Sequence, residues 1–186
     1  HPRVVALAEV MNYPGVISCS RGILDKIRDA RSFGRKIDGH APLLSGQSLS
    51  AYVSAGIESD HECSVASEAM EKLRLGMKIM IREGTCAKNL SELVRIVNPV
   101  TSGHMMWCTD DRHPHDLLNI GHIDSIIVKA IREGLDPVTA VRMGTINPAV
   151  HFGLRDAGAI APGKKADIVL FSDLENPVPE IVYAGG

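Results

Sequence analysis

Few residues of this sequence are aromatic, and none of its apolar runs is long. Only 3 Tyr, 3 Phe and 1 Trp occur among 186 residues, too few for the base-stacking platforms of single-strand nucleic-acid binders. No uncharged apolar stretch approaches the roughly 18 residues needed to cross a bilayer, and the opening residues carry no secretory signal pattern. A cytoplasmic protein with no membrane contact is therefore the expectation. Positive charge is not in excess either. The 20 Lys and Arg against 22 Asp and Glu give a formal charge of −2, and the basic residues are dispersed, so no nucleic-acid partner is expected. The 4 cysteines, Cys19, Cys63, Cys86 and Cys108, form no Cys-x-x-Cys pair. That argues against a zinc knuckle or dithiol redox centre and fits reduced thiols. Phosphate-cradling Gly-x-x-x-x-Gly-Lys-Ser/Thr and Gly-x-Gly-x-x-Gly loops are missing, which disfavours nucleotide triphosphate and dinucleotide chemistry. A Gly-x-Ser-x-Gly elbow is missing too, which disfavours a serine hydrolase.

With 45% hydrophobic and 23% charged residues, the chain has ordinary globular composition and enough length for a sizeable core. An apolar stretch, a polar or glycine-containing tip and a helix-like segment recur along it, the pattern of βα units on a parallel sheet. Val4 to Leu7 reads as the first strand, with Glu9 at its tip. The helical "ILDKIRDARSFG" follows and is stopped by Gly34. "RKIDGHAPLLSG" carries His40 and leads into the helical "QSLSAYVSAG". "GIESDHECS" carries His61 and Glu62, followed by a helix that Ser64 or Ser67 would cap and that turns Ala69, Leu73 and Leu75 inward. "KIMIREGTCAKNL" carries Glu83, and "SGHMMWCTDDRHPHDL" carries Asp110 and Asp111. Ile123, Ile126, Ile127, Ala130 and Ile131 then keep helical spacing. After residue 155 the character changes: "GAIAPGKKADIVLFSD" and "EIVYAGG" read as two strands of a small β element around a Pro/Gly turn. The expected organisation is residues 1–155 in one α/β domain and 156–186 in a β domain. Both chain ends read as internal to a longer protein.

Acid/base and metal-capable side chains at the carboxyl ends of successive strands are the main signal, because βα loops converge there on an active site. Glu9, His40, His61 and Asp110 share that position, and imidazole with carboxylate suits zinc, iron or manganese. A lone histidine at a strand end is more often structural; four groups in one register outweigh that reading. Glu62 and Glu83 fit general acid or base work equally as well as ion pairing, Glu83 with Arg82 or a neighbouring helix. Adjacent strand residues face opposite ways, so only one of Asp110 and Asp111 faces inward, and Asp110 is preferred. Arg112, His113, His115 and Asp116 would position substrate or tie down the loop, with loop architecture preferred; His104 reads as core or as support for a ligand, and His122 and His151 as structural.

The strings "LAEVMNYPGVI", "DGHAPLLSG", "SDHE", "EKLRLGMKIMIREGTCAKNL", "CTDDRHPHDLL", "INPAVHFGL" and "GAIAPGKKADIVLFSDL" together resemble the adenine deaminases of the amidohydrolase superfamily, over essentially the whole chain. The resemblance implies a TIM-type (β/α)8 barrel, of which this chain supplies about the fourth to eighth βα units and part of a small β domain. It implies two divalent metal ions, manganese or iron with zinc as a substitute. Glu9 is then similar to the bridging carboxylate, His40 and His61 to the fifth- and sixth-strand ligands, and Asp110 to the eighth-strand aspartate that contacts metal and takes a proton from water. Glu62 or Glu83 would protonate the purine ring. The implied reaction is hydrolytic deamination of adenine to hypoxanthine and ammonia in purine salvage, with a small-molecule purine as substrate.

One departure stands out: the superfamily's first-strand His-x-His pair is absent, since "HPH" at 113 to 115 lies in the wrong place. A parallel half-barrel leaves unpaired edges, so a homo-oligomer and an inactive isolated chain are expected. Two other readings compete. A cyclic-amide hydrolase of the same superfamily would keep the fold, and a non-catalytic, self-associating half-barrel would keep only the architecture.

Overall fold

The structure is a computed structural model that describes residue 1 and residues 3–186. Its contacts divide the chain into two compact units, His1–Met80 and Ile81–Gly186.

In the first unit β1 (Ala6–Val10), β2 (Lys36–Gly39), β3 (Ser59–Asp60) and the start of β4 (Lys78–Arg82) lie side by side in chain order. They pair in parallel through Leu7 with Ile37, Gly39 with Asp60, and Asp60 with Ile79. Each connection is helical: α1 (Tyr13–Ile17) and α2 (Arg21–Ser32), then α3 (Gly46–Ser54), then α4 (Ala66–Arg74). This is the βα alternation expected from the sequence. The first strand begins later than Val4, because the ladder starts at Ala6 opposite Lys36 and leaves Val4 and Val5 exposed. Glu9 consequently lies inside β1 rather than beyond it. Gly34 does end α2: at φ 64° it takes a left-handed turn that other residues disfavour.

The α4 helix corrects two expectations. Its N-cap is Val65, with no side-chain cap bond, and Ser67 lies within the helix. Leu75 is exposed and Leu73 half-buried, while Ala69 and Lys72 are fully buried. The inward face is thus turned toward Glu68 and Lys72, for a reason that the site makes clear. The core beneath the strands joins Val10, Ile37, Leu49, Tyr52, Ile57 and Met77; burying such side chains contributes about 1.5–3 kcal/mol each.

The second unit opens with the end of β4, beside which β5 (Met105–Cys108) lies, the Glu83 amide donating to the Cys108 carbonyl at 3.0 Å. Short α5 (Leu90–Leu93) and α6 (Pro114–Asn119) follow the two strand ends. The helices α7 (Ile123–Arg132), α8 (Pro137–Gly144) and α9 (Ile146–His151) then pack on β5. Trp107 fixes that packing by donating from Nε1 to the Ala140 carbonyl at 2.8 Å. Ile126, Ala130 and Ile131 are buried as their spacing predicts, and Val128 joins them. His104 is exposed rather than core. The final strands, β6 (Ile168–Leu170) and β7 (Ile181–Tyr183), form an antiparallel pair. No helix among the described residues is long and apolar enough to cross a membrane.

Candidate metal centre

In the first unit, three strand ends bring Glu9, His40, His61 and Glu62 together. Glu9 Oε2 lies 2.8 Å from His61 Nε2 and 3.6 Å from His40 Nδ1. Glu62 Oε1 lies 3.5 Å from His40 Nδ1 and 3.6 Å from His61 Nε2. The two rings meet edge to face, with centroids 5.4 Å apart. His40 Nδ1 and His61 Nε2 are both buried without a hydrogen-bond partner, since even the short approach of Glu9 lacks hydrogen-bond geometry. Buried polar atoms are almost always satisfied. Two unsatisfied ring nitrogens aimed at one carboxylate oxygen form a donor set that a divalent cation would complete, and one ligand atom from each of Glu9, His40 and His61 lies within 4.8 Å of the others.

Behind these groups stands a shell of acids that the sequence reading passed over. Asp38 accepts from Ser59 Oγ at 2.7 Å and from the Gly39 amide at 3.0 Å, and its other oxygen lies 3.8 Å from His61 Nδ1. Burial raises the Asp38 carboxyl above the usual carboxylate range, against the opposing pull of Ser59 and His61. Asp60 is fully buried. Burial alone would raise its carboxyl as well, but the Lys72 ammonium, at 2.9 Å, more than offsets that and holds it below the ordinary range. Lys72 shows the converse: burial draws it down, and Asp60 with its other partners brings it above the usual value for lysine. The signals were present as "DGH" and "SDH", an acid placed just before each histidine. What was missing was any means of telling which acids are buried.

Tyr52 links two of the strand ends. Its hydroxyl donates to the Val10 carbonyl at 2.7 Å and accepts from the His40 amide at 3.1 Å.

In the second unit, Asp110 sits at φ 48°, a left-handed conformation that aspartate tolerates better than most residues, and its Oδ2 lies 2.9 Å from the Arg82 guanidinium. Asp111 faces another way, accepting from the Thr85 and Cys86 amides at 3.2 and 3.1 Å. The Cys86 amide is the main reason that its carboxyl is held below the ordinary range. Asp111 therefore fastens a loop. Glu83 is buried; one oxygen accepts from the Leu90 amide at 3.0 Å and the other meets Lys129 Nζ at 2.8 Å. That is the pairing with a neighbouring helix, the less chemical of its two expected roles. Arg112 donates to the Glu83 carbonyl, and Asp116 accepts from Thr85 Oγ1 at 2.6 Å, so both tie down the loop as expected. His122 is the N-cap of α7, and His151 is buried against Phe152.

The amidohydrolase family model matches residues 1–186. The adenine deaminase of Desulfatibacillum aliphaticivorans is 53% identical over 186 residues, which are 100% of this chain and 33% of that protein. That of Thermosipho melanesiensis is 55% identical over 172 residues, 92% of this chain and 30% of that protein. The chain thus spans about a third of the length of these curated relatives. Among solved structures, N-acetyl-D-glucosamine-6-phosphate deacetylase from Mycobacterium smegmatis superposes with a TM-score of 0.68 at 16% identity, over 89% of this chain and 51% of that one. Enamidase, described as a member of the amidohydrolase superfamily, superposes with a TM-score of 0.60 at 16% identity, over 78% of this chain and 41% of that one. These likenesses agree with a partial barrel. Matched over its full length by the family model, and half identical to curated relatives, the chain belongs to the amidohydrolase family.

Proposed function

We propose that this chain is part of a metal-dependent adenine deaminase that hydrolyses adenine to hypoxanthine and ammonia, serving purine salvage in the cytoplasm. The pair of unsatisfied ring nitrogens facing Glu9 is the observation that carries the metal reading, and the curated relatives support the substrate. Glu9, His40 and His61 would hold metal, joined on the family resemblance by Asp110, in a centre for two divalent ions of manganese or iron. When bound, such ions acidify a water so that it is a competent nucleophile near neutral pH.

The chain's own residues then move protons. Asp110 accepts the proton of the attacking water, and an acid protonates the purine ring nitrogen as electrons arrive there. Glu62 is the better candidate for that acid, because its Oε1 lies 3.5 Å from His40 Nδ1 and 3.6 Å from His61 Nε2, beside the candidate ligands. Asp110 then passes the proton it took to the exocyclic amine; the C–N bond breaks, ammonia leaves, and the hydroxyl proton of the tetrahedral carbon returns to the acid that protonated the ring, leaving the carbonyl of hypoxanthine. Residues 1–155 belong to the barrel and 156–186 to a small β domain on this reading, and the 186 residues by themselves deaminate no adenine.

The test uses the complete gene product that carries these residues. Metal content and conversion of adenine to hypoxanthine are measured together. Asp110→Asn should lower kcat by about 10²–10⁴-fold while sparing much of the metal. An enzyme that binds metal but leaves adenine intact would redirect the substrate to a cyclic amide.

A further inference from the structure

The two ligand histidines sit on segments that a single lysine joins. Lys72 Nζ is fully buried and donates to the Ala41 carbonyl at 2.7 Å, to Asp60 Oδ2 at 2.9 Å and to Glu68 Oε1 at 2.7 Å, which accounts for all three ammonium hydrogens. Its two acids extend the reach. Asp60 accepts from the Ala41 amide at 2.8 Å and the Glu62 amide at 3.1 Å, directly after His40 and His61 respectively. Glu68 accepts from the Leu43 amide at 2.7 Å and the Ser64 amide at 3.2 Å, further along the same two segments. Both loops leaving the strand ends are thus held to one buried ion cluster. Asp60 and Glu68 stand with Cys63 close enough to hold a cation themselves, but the Lys72 ammonium already supplies the positive charge between them.

From this we propose that Lys72 is a positioning residue for the metal centre: with Asp60 and Glu68 it fixes the separation of the His40 and His61 segments, so that both ring nitrogens face Glu9 before a cation arrives. The inference rests on the metal reading above. A cluster of this kind is costly to build from charges, and replacing it with apolar groups is often neutral for stability. What an apolar replacement does not supply is directional anchoring of four backbone amides, and a cation whose ligands come from different loops requires that anchoring. Groups that orient metal ligands typically affect affinity by about 10–100-fold when removed.

The experiment titrates Zn2+ against a chromophoric chelator, and records the Co2+ d–d spectrum, on the complete gene product and its variants. Lys72→Met should weaken Zn2+ binding by about 10–100-fold and shift the Co2+ bands. Glu68→Gln, which preserves shape and keeps the protein folded if the lysine variant does not fold, should weaken binding by a smaller factor. Ile27→Ala, in the buried face of α2, provides a variant with lowered stability and unaltered metal affinity. His61→Ala separates the two levels of the argument. If it leaves Zn2+ affinity unchanged, the metal reading fails and this inference with it. If it abolishes binding while Lys72→Met and Glu68→Gln bind as the parent does, the positioning role alone is overturned. Equal weakening in Ile27→Ala also overturns it.

Discussion

At the scale of single residues, the unit around His40 and His61 is held by buried polar groups that each serve two strand ends. Tyr52 is the simplest case, since its hydroxyl bridges the Val10 carbonyl and the His40 amide. Tyr52→Phe removes both bonds and leaves a buried carbonyl and amide without that partner. We expect a loss of about 1–3 kcal/mol in denaturant unfolding, together with weaker metal binding; an unchanged unfolding midpoint would count against the bridge. The ionisable groups also set a pH response. Burial, the largest influence on both, pushes the Tyr52 hydroxyl and the Cys63 thiol well above their ordinary values. Their unfolded forms ionise at about pH 8.5–10, while the folded forms stay neutral. Stability from these two groups is complete below that range and falls as pH rises through it. Lys72, raised, keeps its charge across the same interval. Thermal unfolding from pH 7 to 10.5 should therefore show a declining midpoint, and Cys63→Ser should reduce the decline.

At the scale of elements, strand ends and the turns after them decide where the ligands stand. Gly39, the last residue of β2, immediately precedes His40. A Cβ there would meet the Ser59 carbonyl at 2.5 Å and the Tyr52 hydroxyl at 2.9 Å, closer than van der Waals contact allows. Gly39→Ala should cost about 1–3 kcal/mol through overpacking and move the His40 backbone off Tyr52, read as lost stability and lost Zn2+ affinity together. A stable variant with normal affinity would show that the approach relaxes freely. Gly84 has a similar constraint against Asp111 and the Thr109 carbonyl. The helices follow a different logic. The α7 face that buries Ile126, Ala130 and Ile131 also sends Lys129 to Glu83, so packing of an amphipathic helix and pairing of a buried carboxylate are one event.

At the scale of the whole molecule, the outer edge of β1 pairs with no other strand among the described residues, and β6 and β7 leave Val169, Ile181 and Val182 exposed. Unpaired parallel edges and uncovered apolar strands recruit partners, and two strands alone are marginally stable. The 186-residue chain is accordingly expected to self-associate in sedimentation at micromolar concentration. A sharp monomer boundary there would remove the case for a homo-oligomer of this chain.

The βα alternation was legible in the sequence because hydrophobic period and turn residues are local properties, and so the strands carrying Glu9, His40, His61 and Asp110 could be read without coordinates. Strand limits were less legible: β1 starts at Ala6 because Lys36 stands opposite it, and pairing partners are not encoded in local pattern. The burial of Lys72 ran against its residue type, since lysine is almost never buried unless paired, and its partners lie 4, 12 and 31 positions away in sequence. The helix partner of Glu83, Lys129, lies 46 residues on, out of reach of any local pattern. The sequence by itself determined which chemistry the chain can offer, through residue types at strand ends. Tertiary structure alone decided which charges neutralise one another and which polar atoms are left to meet a ligand, because burial and pairing depend on residues far apart in the chain.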